Sequence, residues 1–170
     1  MQGRKEDAIK EYMAAIERWP GYPEAHNNLG IAYASLKRFD EAVEHYLLAV
    51  DFKPDYLTAR NNLALTYVEQ KRFDEALTQY GKILEADPVS ADVISDMGIV
   101  YAVAGKYDEA IKLFLEGLNR NPDNARVRFN LAKAYKDKGL KKEARAEFEK
   151  VLELTPGNES AKKELELLGK

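Results

Sequence analysis

Few side chains in this 170-residue chain could do chemistry, and most of those recur at a regular spacing. His26 and His45 are the two histidines. Imidazoles can bind a metal or carry a proton, but a metal site needs further ligands. Near them in sequence only Glu24, Glu41 and Glu44 could supply one. Both histidines are read as surface helix residues. The acidic pairs Asp40–Glu41, Asp74–Glu75 and Asp108–Glu109 recur every 34 residues. Such carboxylates suit the positive end of a helix macrodipole, so they are expected to be structural and not general acid–base pairs. The chain contains no cysteine, which removes thiol catalysis, disulfides and the common zinc sites. No glycine-rich phosphate loop, nucleophile elbow or H-E-x-x-H helix is present. Asn158-Glu159-Ser160 matches a glycosylation tripeptide, but the charged opening MQGRKEDAIKEY does not read as a secretion signal. The expectation is a non-enzyme with no catalytic residue, no metal and no cofactor.

Composition narrows the partners. Acidic residues number 29 against 26 basic, a formal charge of −3, without the basic excess of a general nucleic-acid binder. No apolar run approaches the roughly 18 residues of a membrane span. A cytoplasmic location, with neither nucleic acid nor membrane as partner, is expected.

The elements that carry these residues follow from a period of 34. Proline stands at 20, 54, 88, 122 and 156, and alanine at 8, 42, 76, 110 and 144. An aromatic recurs as Tyr12, Tyr46, Tyr80, Phe114 and Phe148, and tyrosine again at 33, 67, 101 and 135. A bulky–small pair recurs as Leu29-Gly30, Leu63-Ala64, Met97-Gly98 and Leu131-Ala132. Within each period the apolar steps are three and four, the helical spacing, as in Ala59, Leu63, Thr66 and Tyr67. Short breaks such as Gly105-Lys106 and Gly139-Leu140 separate two helices per period, and proline ends the second. The spacing predicts ten helices, near 5–18, 23–36, 39–52, 57–70, 73–86, 91–104, 107–120, 125–138, 141–154 and 159–168. The small residues are expected to let paired backbones approach closely. A helix pair cannot bury its apolar face alone, so pairs must stack.

The pattern L-[GA]-x-x-Y, then F-D-E-A, an aromatic and proline resembles the tetratricopeptide repeat over the whole chain. Asn62-Leu63-Ala64-Leu65-Thr66-Tyr67 through Phe73-Asp74-Glu75-Ala76 carries it most fully. The resemblance implies an all-α, right-handed α-solenoid of stacked antiparallel helix pairs. The family's tryptophan at the fourth position is replaced by His26, Arg60, Ile94 and Arg128, and Lys37 and Lys71 stand where a helix-ending glycine is common. Full units are expected at 23–56, 57–90, 91–124 and 125–158. Residues 1–22 then form the second helix of an incomplete unit, and 159–170 a capping helix, with Glu166 at the small-residue position. Ala8, Tyr12 and Ile16 would face nothing, which suggests a fragment of a longer protein and leaves self-association through this helix open.

In the tetratricopeptide family the outer face of each first helix lines the concave side, where ligands lie. The sixth position carries Asn28, Asn62, Asp96 and Asn130; the ninth carries Ile31, Leu65, Ile99 and Lys133. Carboxamides offer a donor and an acceptor together and can pair with a peptide backbone. Aligned apolar residues would give that peptide a floor. Alternatively, the asparagines tie adjacent helices together. Residues 121–145 hold eight basic residues against three acidic, and Arg126, Lys133 and Lys136 fall on this face as an expected anchor for an acidic segment. Asp96 either takes a ligand cation or pairs with Arg126. The carboxylate clamp of chaperone-binding relatives is not matched, because Asn27 and Ile31, then Asp92 and Asp96, occupy its positions. The expected function is a scaffold gripping a protein or peptide partner. The alternatives are a regulatory or substrate-recruiting arm of a larger enzyme, and a self-assembling scaffold.

Overall fold

The computed structural model describes residues 2–169, with side chains from Glu6 onward, and contains only helices and turns among them. Two compact units result, residues 1–88 and 89–170. The first holds α1 (Gln2–Arg18), α2 (Pro23–Ser35), α3 (Phe39–Phe52), α4 (Leu57–Glu69) and α5 (Phe73–Ala86). The second holds α6 (Ala91–Val103), α7 (Tyr107–Arg120), α8 (Ala125–Asp137), α9 (Lys141–Leu154) and α10 (Glu159–Leu168). Within each unit consecutive helices pack on one another, and alternate first helices also touch, α2 with α4 and α6 with α8.

Each hairpin turns through the same device. The Lys37 N–H donates to the Ala34 carbonyl at 2.9 Å and the Arg38 N–H to Tyr33 at 3.0 Å, the paired bonds of a left-handed helix cap. The pattern repeats after α4, α6 and α8, with Lys71, Gly105 and Gly139 at the turning position. All four have positive φ, 59° at Lys37 and Lys71, 77° at Gly105 and 88° at Gly139. The next residue then folds over the tyrosine it bonds. The Arg38 guanidinium lies 4.5 Å from the Tyr33 ring and that of Arg72 4.4 Å from Tyr67.

The hairpin cores are built from the periodic columns. Ala42, Ala76, Ala110 and Ala144 are fully buried, and so, nearly, are Tyr46, Tyr80, Phe114 and Phe148. Burial pushes the Tyr46 hydroxyl up to about 12, against a smaller opposing effect of its bond to Thr66. The small residue of the first helix has a more specific task than close backbone approach. A β-carbon on Gly30 would stand 2.7 Å from the Tyr46 ring, and one on Gly98 2.8 Å from the Phe114 ring. These glycines make room for an aromatic face.

At the first helix the expectation needs correction. Ala8, Tyr12 and Ile16 do not face nothing: α1 packs on α2, the three are half-buried, and Ile9 is buried. Their column mates Ala42 and Tyr46 are sealed, so α1 is the more open case.

Two substitutions test the turn. An L-residue in the left-handed region costs about 1–2 kcal/mol, part of which glycine returns as unfolded-chain entropy. Lys37→Gly and Lys71→Gly should therefore each stabilise the fold by roughly 0.5–1 kcal/mol in urea unfolding, while Gly105→Ala should destabilise it. Gly98→Val should cost about 1–3 kcal/mol by overpacking Phe114.

Candidate binding face

In the first unit, the ninth-position residues Ile31 and Leu65 lie open, 45% and 49% exposed. Beside them Asn28 and Asn62 are half-buried. Asn62 is not a free ligand: its Nδ2 donates at 3.0 Å to the Oδ1 of Asn27, a buried neighbour on α2. Asn27 in turn donates to Asn28 Oδ1 at a longer 3.4 Å. This amide chain joins α2 to α4 and orients what remains, a donor on Asn28 and an acceptor on Asn62. The sequence showed Asn27 only as an occupant of a clamp position and tying asparagines only as an alternative; that Asn27 is the partner of Asn62 was not foreseen, although its repeat at Asn61 was an available signal.

In the second unit, the charged residues serve one another first. Arg126 donates from Nη1 to Asp96 and from Nη2 to Asp92, both at 2.9 Å, crossing from α8 to α6. Burial alone would lower the Arg126 pKa; hydrogen bonding and charge from Asp96, then Asp92, outweigh it and hold it above the ordinary value. Lys136 Nζ donates to Glu164 of α10 at 2.7 Å. Of the three basic residues expected to anchor an acidic segment, Arg126 and Lys136 are thus committed to carboxylates, and Lys133 stands exposed. Ile99 is half-buried against the cluster of Phe114, Val127 and Leu131, so it contributes less floor than Ile31 or Leu65. Asn130 lines a cleft with Arg126, Phe129, Thr155, Asn158 and Ser160. Leu167 on α10, 54% exposed, holds the ninth position of that helix and is a further open apolar side chain of the second unit. It was passed over because α10 was read as a cap alone.

Members of the recurrent acidic pairs serve as structural ties. Asp40 accepts from Gln70 Nε2 at 2.7 Å, and Asp108 accepts from Lys138, each linking a second helix to the end of the next first helix. Hydrogen bonds from Arg38 and Arg72 hold the Glu41 and Glu75 carboxyls below their ordinary pKa. Three of the four substitutions for the family's tryptophan share one geometry. His26 Nε2, Arg60 Nη2 and Arg128 Nε donate to the carbonyls of Pro20, Pro54 and Pro122 at 2.9, 2.9 and 3.0 Å. Each also meets the residue 19 positions on: His45 for His26, Gln79 for Arg60, Glu147 for Arg128. No group of three or more histidine, cysteine or acidic side chains among the described residues could hold a metal.

Tetratricopeptide repeat signatures match residues 2–56 and 95–159, and a further one 57–86. The chain belongs to the tetratricopeptide repeat family. No curated protein sequence gives a significant match. Solved structures do. A crystal structure of MamA superposes with a TM-score of 0.77 at 25% identity, covering 89% of each chain. The tetratricopeptide repeat protein TTC0263 of Thermus thermophilus gives 0.76 at 25% identity, over 98% of this chain and 91% of its own. MamA from Desulfovibrio magneticus RS-1, residue 41 to its end, gives 0.79 at 21% identity, over 92% and 89%, a likeness of fold. The tetratricopeptide columns therefore account for the helices. On those helices the Asn27–Asn62 bond ties α2 to α4, and the Asp92–Arg126–Asp96 bridge ties α6 to α8.

A mutant cycle measures the amide bond. Asn27→Ala and Asn62→Ala should each destabilise the fold by about 0.5–1.5 kcal/mol in equilibrium unfolding. Because both remove one bond, the double variant should cost clearly less than the sum of the two.

Proposed function

We propose that this chain is a non-catalytic protein–protein interaction scaffold whose first-helix faces hold an extended peptide or a partner's helix. Membership in the tetratricopeptide repeat family supports an interaction scaffold. The observation that carries the binding mode is the open pair Ile31 and Leu65, one ninth position on each of two neighbouring first helices, with oriented carboxamides beside them. Apolar side chains of a ligand would cover the pair. Its backbone would meet the Asn28 donor and the Asn62 acceptor, contacts largely indifferent to ligand sequence.

In the second unit, taken by itself, a ligand segment would meet Asn130 and Lys133, with Asp96, Ile99, Arg126 and Lys136 around them. An acidic ligand segment would find Lys133 first, since Arg126 and Lys136 must leave their carboxylates to reach it. Among the described residues no helix is long and apolar enough to cross a membrane.

A displayed library of extended peptides, selected on the intact chain, tests this. Selected ligands should lose at least about tenfold in affinity, roughly 1.4 kcal/mol, toward Ile31→Ser/Leu65→Ser measured by calorimetry. Lys133→Glu should chiefly slow association of acidic ligands and reduce its salt dependence. Ligands that bind all variants as tightly as the parent would place the site elsewhere.

A further inference from the structure

His26 and His45 meet across the first hairpin, α2 against α3, with their Nδ1 atoms 3.1 Å apart. His26 is buried and His45 half-buried. Their rings continue an aromatic stack, with His26 on Phe52 at 5.7 Å and His45 on Tyr33 at 5.6 Å between centroids. The bond from His26 Nε2 to the Pro20 carbonyl decides the tautomers. A carbonyl oxygen only accepts, so Nε2 carries the hydrogen, and a neutral His26 presents a bare Nδ1. His45 must then donate from its own Nδ1. With one proton added, both bonds survive: His26 donates from both nitrogens, and His45 shifts its hydrogen to Nε2 and accepts. With two protons added, two N–H groups face each other at 3.1 Å and the inter-helix bond is gone.

Two other repeats place an arginine at the same position. Arg60 and Arg128 donate to Pro54 and Pro122 and to Gln79 and Glu147, and both are permanently charged. We infer that His26 and His45 form a proton-operated version of this clasp, which keeps the first hairpin joined with no proton or one added and releases it on the second.

The surrounding charges do not relieve the second proton. On α3, Glu44 alone draws His45 toward protonation, while burial first and then His26 press its pKa below the ordinary value. Glu41 is taken by Arg38, and Glu24 of α2 by Lys53. The turn before α2 offers the neutral Pro20 carbonyl, with Arg18 stacked on Trp19, and Arg60 of α4 is turned to Pro54 and Gln79. A depressed histidine pKa contributes stability that is complete above the unfolded value near 6.5 and is lost as pH falls through the folded value. Since α2 also carries Asn28 and Ile31, release would loosen that end of the binding face. This consequence rests on the proposed function; the clasp itself is tested without ligand.

Histidine Cε1–H resonances of the intact chain, followed by NMR from about pH 8 to 5, should show two separated transitions rather than one shared one, that of His45 below the ordinary histidine value. His26→Arg/His45→Gln copies the Arg60–Gln79 pair. Its thermal midpoint should stay flat between about pH 7 and 5.5, where that of the parent falls. Both histidines titrating together near 6.5 would overturn the inference, as would parent and variant midpoints falling in parallel. If the variant does not fold, the parent's titration alone decides.

Discussion

Everything in this chain depends on one contact made once per hairpin, a small residue of the first helix against an aromatic ring of the second. Gly30 under Tyr46 and Gly98 under Phe114 show how little space is left, since a β-carbon there would sit within 3 Å of the ring. Ala64 and Ala132 fill the same column in the other hairpins and are completely buried. The ring closes the space between the two helices of its hairpin. A fault here would therefore spread through nearest-neighbour contacts rather than stay local.

Around that contact the chain commits its polar side chains to holding helices together before any are left for a partner. Asn62 serves Asn27, Arg126 serves Asp92 and Asp96, and Lys136 serves Glu164. Half-exposed ion pairs of this kind add little stability individually. Their larger effect is to fix which hydrogen-bonding groups point outward. What points outward in the first unit is then an apolar pair flanked by one amide donor and one acceptor, the surface on which the proposed binding mode rests.

The fourth position of each repeat shows how a departure from the family pattern is absorbed. Without tryptophan the column becomes polar at His26, Arg60 and Arg128, and each finds the same two neighbours, a proline carbonyl six residues back and a side chain 19 residues on. Ile94 carries no donor and is simply buried. The backbone geometry is common to the repeats; the chemistry placed on it differs.

The ten helices, their boundaries to within a few residues, and the sealed core columns were all legible in the chain, because a 34-residue period repeats one local solution and helical spacing needs no distant information. The turning lysines 37 and 71 were legible too, as occupants of a glycine position. The face was legible only as a set of columns. Whether Asn62 is a ligand or a tie depends on Asn27, 35 residues away, and whether Arg126 is an anchor or a bridge depends on two aspartates of another helix. The histidines read as unrelated surface residues because the 19-residue separation means nothing until α2 and α3 lie side by side. A side chain's type limits the bonds it can make, but only the three-dimensional neighbours decide which of them are already taken.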